Sequence, residues 1–266
     1  MGRMDYAGCR CMLVSALVLA VLVFAKPPVA AAEPVQVHAD YSVSLVGLPV
    51  AYLNFVTEVE GTSYRVSGTL RTSTLSDIVS KTRGTASVSG KLTADRFLAS
   101  QFSVAYSSGR KAQRTDIEFR DGDVKSTTHD PARKARGSNW VPISDKDLSS
   151  VLDPLSGLMF PAGSQVCPRS VPIFDGQSRV TLHLSPKGQR PFRAKGFEGD
   201  AIVCGIRFEP KAGYRKNSSS IAYLRNLTSM EVWYAKHEEG GFYAPVYAKV
   251  PTKVGQVIVA ATRFGG

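Results

Sequence analysis

The sequence predicts an all-β protein: one large, strongly curved antiparallel sheet, an open barrel or spiral, with one amphipathic helix packed in its concave side. Three observations carry this prediction. Apolar and polar residues alternate at period two along most of the chain, the pattern of strands with one face in a core. Glycine-containing turns separate successive runs, and such short connections imply an antiparallel meander. About six strand signals precede a single helical stripe and about six follow it, and so many half-buried strands must curl or close to hide their apolar face. A two-sheet sandwich is the alternative.

The N-terminal segment stands apart. Arg3 and Arg10 precede the uncharged, mostly apolar run Met12–Ala25, and Ala30-Ala31-Ala32 follows as a small-residue processing site. That order predicts a signal peptide over residues 1–32, cleaved after Ala32 to release a mature chain into the periplasm. The run is shorter than the roughly 20 apolar residues a membrane span needs. Cys9 and Cys11 precede it, so neither is placed for lipidation. Residues 33–266 are expected to form one β-rich domain with no transmembrane span.

Strand signals begin at Gln36. Tyr41, Val43 and Leu45 alternate with serines; Ala51, Leu53, Phe55 and Val59 follow Gly47-Leu48-Pro49; Tyr64, Val66 and Leu70 follow Gly61. Phe102, Val104 and Tyr106, then Ile117 and Phe119, continue the pattern, with Ser108-Gly109 and Asp121-Gly122 as hairpin turns. Thr74–Lys81 reads as a helical turn or a loop. From His129 to Val141 the chain becomes an exposed basic connection, in which Arg133, Lys134 and Arg136 are candidates for gripping an anion.

Ser144–Phe160 carries the helical signal. Leu148, Val151, Leu152, Leu155, Leu158 and Met159 recur at the three-and-four spacing of one helical face. Ser144 suits an N-cap, and Asp153-Pro154 predicts a kink, since proline suits a first helical position and not an interior one. Structurally the stripe fills a core; functionally Leu148, Leu152, Leu155 and Met159 are candidates for a movable plug over an apolar cavity. Beyond it, strand signals resume at Val166–Phe174, Val180–Leu184, Ala201–Phe208, Met230–Lys236, Phe242–Val250 and Gln256–Phe264. Lys187–Lys195 and Lys211–Ser220 read as loops, and Trp233 and Tyr234 are expected on opposite faces of one strand.

Composition narrows the partners. The net charge of the chain is +11, and removing Arg3, Asp5, Arg10 and Lys26 with the leader leaves +9. A surplus of that sign favours an anionic neighbour, and export makes nucleic acid an unsuitable one. Expected partners are an envelope protein, peptidoglycan or an anionic lipid. Cys167 and Cys204 remain after processing and predict a disulfide in an oxidising compartment. His38, His129, His183 and His237 lack any recognised zinc spacing, and no metal or other cofactor is expected.

Several segments together resemble DUF3108, an uncharacterised exported bacterial family. They are Tyr41–Leu45 with Gly47, Gly61–Tyr64, Leu152–Ser156, Val171–Gly176 with Arg179, Cys204 through Gly213-Tyr214, and Val232-Trp233. The resemblance covers nearly the whole mature chain and implies a periplasmic β-rich protein, with no catalytic residues to transfer. The plan also resembles the curved sheets with helical plugs of periplasmic lipoprotein carriers and envelope-integrity proteins, although fold does not settle function.

An enzyme is not expected. GxSxG, HExxH, P-loop and dinucleotide patterns are missing from the sequence. The carboxylate pairs Asp121/Asp123 and Glu238/Glu239 sit at hairpin turns, where acids shape the turn. The expected function is a non-catalytic periplasmic binding or scaffold protein that maintains the cell envelope; the alternative is a carrier or chaperone for a lipid or other apolar ligand, and a hydrolase is a distant third. A dry aromatic core would favour the scaffold, and an apolar cavity the carrier.

Overall fold

Alternating side chains do assemble into one sheet. The structure is a computed structural model that describes residues 33–74 and 81–266; the expected leader and most of Thr74–Lys81 lie outside the described residues. The first half is a seven-stranded meander, β1 (Val35–Leu45), β2 (Leu48–Glu60), β3 (Ser63–Thr72), β4 (Thr82–Leu92), β5 (Phe97–Ser108), β6 (Lys111–Arg120) and β7 (Asp123–Asp130). A long connection leads to the short β8 (Phe160–Pro161), then β9 (Arg169–Phe174), β10 (Arg179–Ala194), β11 (Phe197–Ala212), helix α1 (Ser219–Asn226), β12 (Met230–His237), β13 (Phe242–Thr252) and β14 (Gly255–Gly265).

The strand order is β7-β6-β5-β4-β3-β2-β1-β14-β13-β12-β11-β10-β9, with β8 pairing β13 outside this path. The first and last strands therefore meet in the middle of the sheet, Tyr41 opposite Ala261 and Val43 opposite Val259. Every pairing between these strands is antiparallel, and β7 and β9 are the two edges, which pair with no further strand. This is the large curved antiparallel sheet expected from the sequence, not a sandwich and not a closed barrel.

The expected helix over Ser144–Phe160 does not form. Asp145–Leu148 and Ser156–Leu158 are two short 3-10 turns, and the residues between them are irregular or extended. Three local causes stop a helix. Ser150 has φ +52°, Pro154 disfavours the α region for Asp153, and the backbone of Leu152 turns outward to pair with Ile173. The apolar residues that mimic a helical stripe are shared between two clusters. Leu148, Val151, Leu155 and Met159 pack in one, while Leu152 and Leu158 pack in the other.

This connection spans the gap between the two sheet edges. Val141 exchanges backbone bonds with Gly213 and Tyr214, Val151 N–H donates to Gly122 O at 2.7 Å, and Leu152 bonds Pro172 O and Phe174 N–H of β9. Ser150 N–H donates to Asp123 Oδ1 at 3.1 Å, which holds that carboxyl below the usual carboxylate range. Gly176, in the β9–β10 turn, closes the other end. Its φ is +86°, and a Cβ there would lie 2.5 Å from Thr115 Cγ2, so only glycine lets the turn approach the opposite edge.

One further expectation fails and another holds only over residues 213–218. Lys187–Lys195 is not a loop: β10 runs through Ala194, and Lys187–Pro191 are exposed on both faces, so the apolar alternation reappears only at Phe192 and Ala194, which pack on the core. Lys211–Ser220 includes the end of β11 and the first turn of α1, whose N-cap Ser218 accepts from Ile221 N–H at 3.3 Å. Trp233 and Tyr234 do face opposite ways. Tyr234 is fully buried, and Trp233 packs outside against Tyr247 and Phe192. Among the described residues no helix is long and apolar enough to cross a membrane.

Cys167 and Cys204 form a disulfide that ties the β8–β9 connection to the interior face of β11. With a sequence separation of 37 residues, the chain-entropy model assigns it roughly 3–4 kcal/mol. Replacing both cysteines by alanine is expected to lower unfolding stability by about that amount in urea titrations; unchanged midpoints would show that the bridge does not brace the fold.

Candidate functional site

The connection enters the concave side of the sheet at Asp153. Its carboxylate is fully buried and accepts three hydrogen bonds from the residues that follow it. Oδ1 takes Leu155 N–H at 2.8 Å and Ser156 N–H at 2.9 Å, and Oδ2 takes the Ser156 hydroxyl. This is the reverse of an exposed helix cap: a fully buried side chain satisfies backbone donors inside the fold. Burial pushes the Asp153 pKa up, against those hydrogen bonds. Tyr64 Oη is buried beside the pair without a regular hydrogen bond among the described residues, and burial followed by the Asp153 charge keeps its phenol neutral. Gly157 completes the turn, since a Cβ there would lie 3.0 Å from Leu152 Cβ.

Past this turn, Pro154, Leu155, Leu158 and Met159 face the sheet across a cavity of about 310 Å³. The opposite wall comes from β1, β2 and β3 on one side and from β10 to β14 on the other, and no charged side chain lines it. Small residues at Ala39, Ala244 and Ala248 leave the space. The wall grades from the buried Val37, Phe242 and Phe264 to the half-buried Tyr41, Leu53, Ala248 and Val259. The cavity therefore opens toward the rim that carries the β1–β2 and β13–β14 turns. Tyr41 donates its hydroxyl to Pro245 O at 2.7 Å, so the one phenol in this wall is already satisfied.

Beside this cavity the concave side is packed with aromatic rings. Tyr64 and Phe97 meet edge to face at 4.9 Å, and Phe97 meets Phe242 at 5.8 Å, which joins β3, β5 and β13 across the concave side. A second cluster around Phe160, Tyr234, Val171 and Cys204 closes the C-terminal end.

Of the residues singled out in the sequence, Leu155 and Met159 line the cavity, whereas Leu152 faces the second cluster and Leu148 packs at its own site in the first. Arg133, Lys134 and Arg136 are exposed and do not line it. Arg136 instead stacks on Trp140 at 4.4 Å and donates to Gln177 O, while Arg215 covers Trp140 at 5.6 Å. Sequence reasoning missed the sheet-borne wall. The alternation of Tyr41, Leu53 and Val259 marks a core face, but nothing in it marks which stretch of that face stays unfilled. Among the described residues no group of three or more His, Cys, Asp or Glu side chains is arranged to hold a metal.

These features define a class: an open, barrel-like antiparallel β protein with an apolar interior and a crossing segment as its internal wall. The chain belongs to DUF3108, a family of proteins of unknown function, whose model matches residues 40–262. A crystal structure of a beta-barrel-like protein of the domain of unknown function DUF1849 from Brucella abortus is similar over 86% of this chain and 97% of that one, at TM-score 0.47 and 10% identity. No curated protein matches.

Asp153 makes two stability predictions. Asp153→Ala leaves the buried Ser156 N–H and hydroxyl and the half-buried Leu155 N–H without their acceptor and is expected to cost about 1–3 kcal/mol, while Asp153→Asn keeps an acceptor and costs less. Because the folded-state pKa is raised, the stability linked to this proton is present below the unfolded pKa and lost as pH rises through the folded one. The stability of Asp153→Asn relative to wild type should therefore improve from about pH 4 to about pH 7, measured by urea midpoints. A difference that stays constant, or moves the other way, would contradict a buried carboxylate.

Proposed function

We propose that this protein is a non-catalytic carrier that holds an acyl chain or a ligand of similar apolarity between the concave face of the sheet and residues 154–159. The observation that carries the reading is the charge-free cavity of about 310 Å³, within the roughly 300–1,000 Å³ range of ligand pockets. It favours the carrier over the scaffold, because an envelope scaffold needs a filled core and no such space. Among the described residues the only hydroxyls in the cavity lining are those of Thr57 and Tyr41, and no acid or base lines the cavity beside them to activate one, in keeping with binding and not turnover. Asp153 and Ser156 are spent on each other and on the backbone.

The leader signal supports export and a periplasmic site of action, where a disulfide persists. There an apolar ligand crossing water between membranes requires a protein that shields it, and the proposed cavity supplies that shield. Leu155 and Met159 form the inner wall, on a segment of 3-10 turns whose displacement would enlarge the space without breaking a strand ladder.

Filling the cavity tests the proposal. Ala248→Phe and Leu155→Trp are each expected to weaken binding of a naphthylamine or fluorescent fatty-acid probe by about tenfold or more, a loss of about 1.4 kcal/mol, with thermal unfolding within a few degrees of wild type. A wild-type protein that ignores such probes, or variants that bind as well as it does, would overturn the carrier reading. Export is tested separately by the N-terminal residue of periplasmic material, expected to be Glu33.

A further inference from the structure

The large hydrophobic side chains that stand exposed among the described residues are Val46, Leu48, Tyr106 and Val254. Scattered, they would be ordinary; here all four gather at one rim. Val46 lies in the β1–β2 turn and Leu48 opens β2 beside it, at 66% and 62% exposure, and Val254 lies in the β13–β14 turn at 74%. Tyr106 lies two residues from the end of β5, whose turn to β6 is on the same rim. Because β1 pairs with β14, the two most apolar tips stand side by side. Val46 N–H donates to Gln256 O at 3.0 Å, and a Cβ on Gly255 would fall 2.2 Å from Val46 Cγ2.

Val46 also has φ +50° beside Gly47 at +82°. A hairpin turn with two positive φ values favours Asn or Gly, and a β-branched residue there is an outlier. The chain thus places a valine where both backbone and solvent disfavour it. Such conflicts cluster at functional positions.

Charge is polarised along the same direction. This rim carries exposed Arg83, Arg110, Lys111, Arg133, Lys134 and Lys253, none of them in an ion pair with a described carboxylate, against the two exposed acids Asp130 and Asp175. The turns at the opposite rim mix the two signs: Glu60, Asp95, Asp121, Glu238 and Glu239 stand among Arg96, Arg120, Lys195 and Lys236, with Asp95 paired to Arg96 and Glu238 to Lys236. The molecule presents a basic, apolar-tipped end and a more acidic one.

We infer that the basic rim docks on an anionic lipid bilayer, with Val46, Leu48 and Val254 entering the interface and the lysines and arginines meeting the headgroups. Apolar insertion and basic attraction are the two contributions that hold a protein on such a surface. An acidic polymer would engage the charge and leave the tips in water, so the bilayer is the partner that satisfies both. This goes beyond the carrier reading and stands apart from it, although the cavity opens toward the same rim.

Sedimentation of the full protein with phosphatidylglycerol-containing vesicles, against phosphatidylcholine vesicles, tests it. Binding is expected to the first alone, to weaken at high salt, and to fall about tenfold in the triple variant Val46→Ser, Leu48→Ser, Val254→Ser. A Val254→Trp reporter should shift its emission to the blue on vesicle addition and be quenched by brominated acyl chains. Equal binding by the triple variant, no quenching, or binding matched by a soluble polyanion would overturn the proposal. Ala248→Phe should dock as wild type does while losing the apolar probe, so failure of docking and failure of the cavity are read separately.

Discussion

A single antiparallel sheet with an apolar concave face and two edges that do not meet cannot stand in water unless something inside covers that face, and the rest of this structure follows from that constraint. The cover is the connection between β7 and β9. It exchanges backbone bonds with the β6–β7 turn on one side and with β9 on the other, so it bridges the two edges without joining them. Asp153 then turns the chain inward. Its buried carboxylate meets three donors of the following turn, and those bonds are what allow a polar backbone to cross an apolar interior.

A crossing segment this short does not fill the whole concavity. Where aromatic residues face each other, as Tyr64, Phe97 and Phe242 do, the interior is packed. Where alanines at positions 39, 244 and 248 stand opposite Leu155 and Met159, space remains. The strength of the Asp153 turn and the volume of the cavity are thus two consequences of one route through the fold. The disulfide lies in the cluster on the other side of the segment, which keeps the C-terminal half of the wall in place.

The strands were legible because a half-buried strand writes its environment into every second residue. Val37, Ala39 and Tyr41 declare the inner face of β1, and Tyr64 and Val66 that of β3. β4 is harder to read, since its run Thr82–Leu92 is mostly small residues with only Val88 deeply buried. The connection was misread for a different reason. Leu148 to Met159 lie between apolar surfaces on both sides, and a chain sandwiched in that way can show helical spacing without being helical. Ser150, with positive φ, and Pro154 were the local signs against a helix. The Asp153–Ser156 contact was partly visible as a cap motif, but its burial depends on Tyr64, 89 positions earlier, and on a sheet that brings the two together. The cavity was not legible at all, because a void has no residues of its own.

The central claim is that the unfilled space holds an apolar molecule in the cell. Native mass spectrometry of protein purified gently from its own compartment, followed by organic extraction, tests this most directly. The account predicts a stoichiometric excess mass that is lost on extraction and recovered as a lipid or another apolar compound. A protein that emerges at its bare mass, with nothing in the extract, would contradict it.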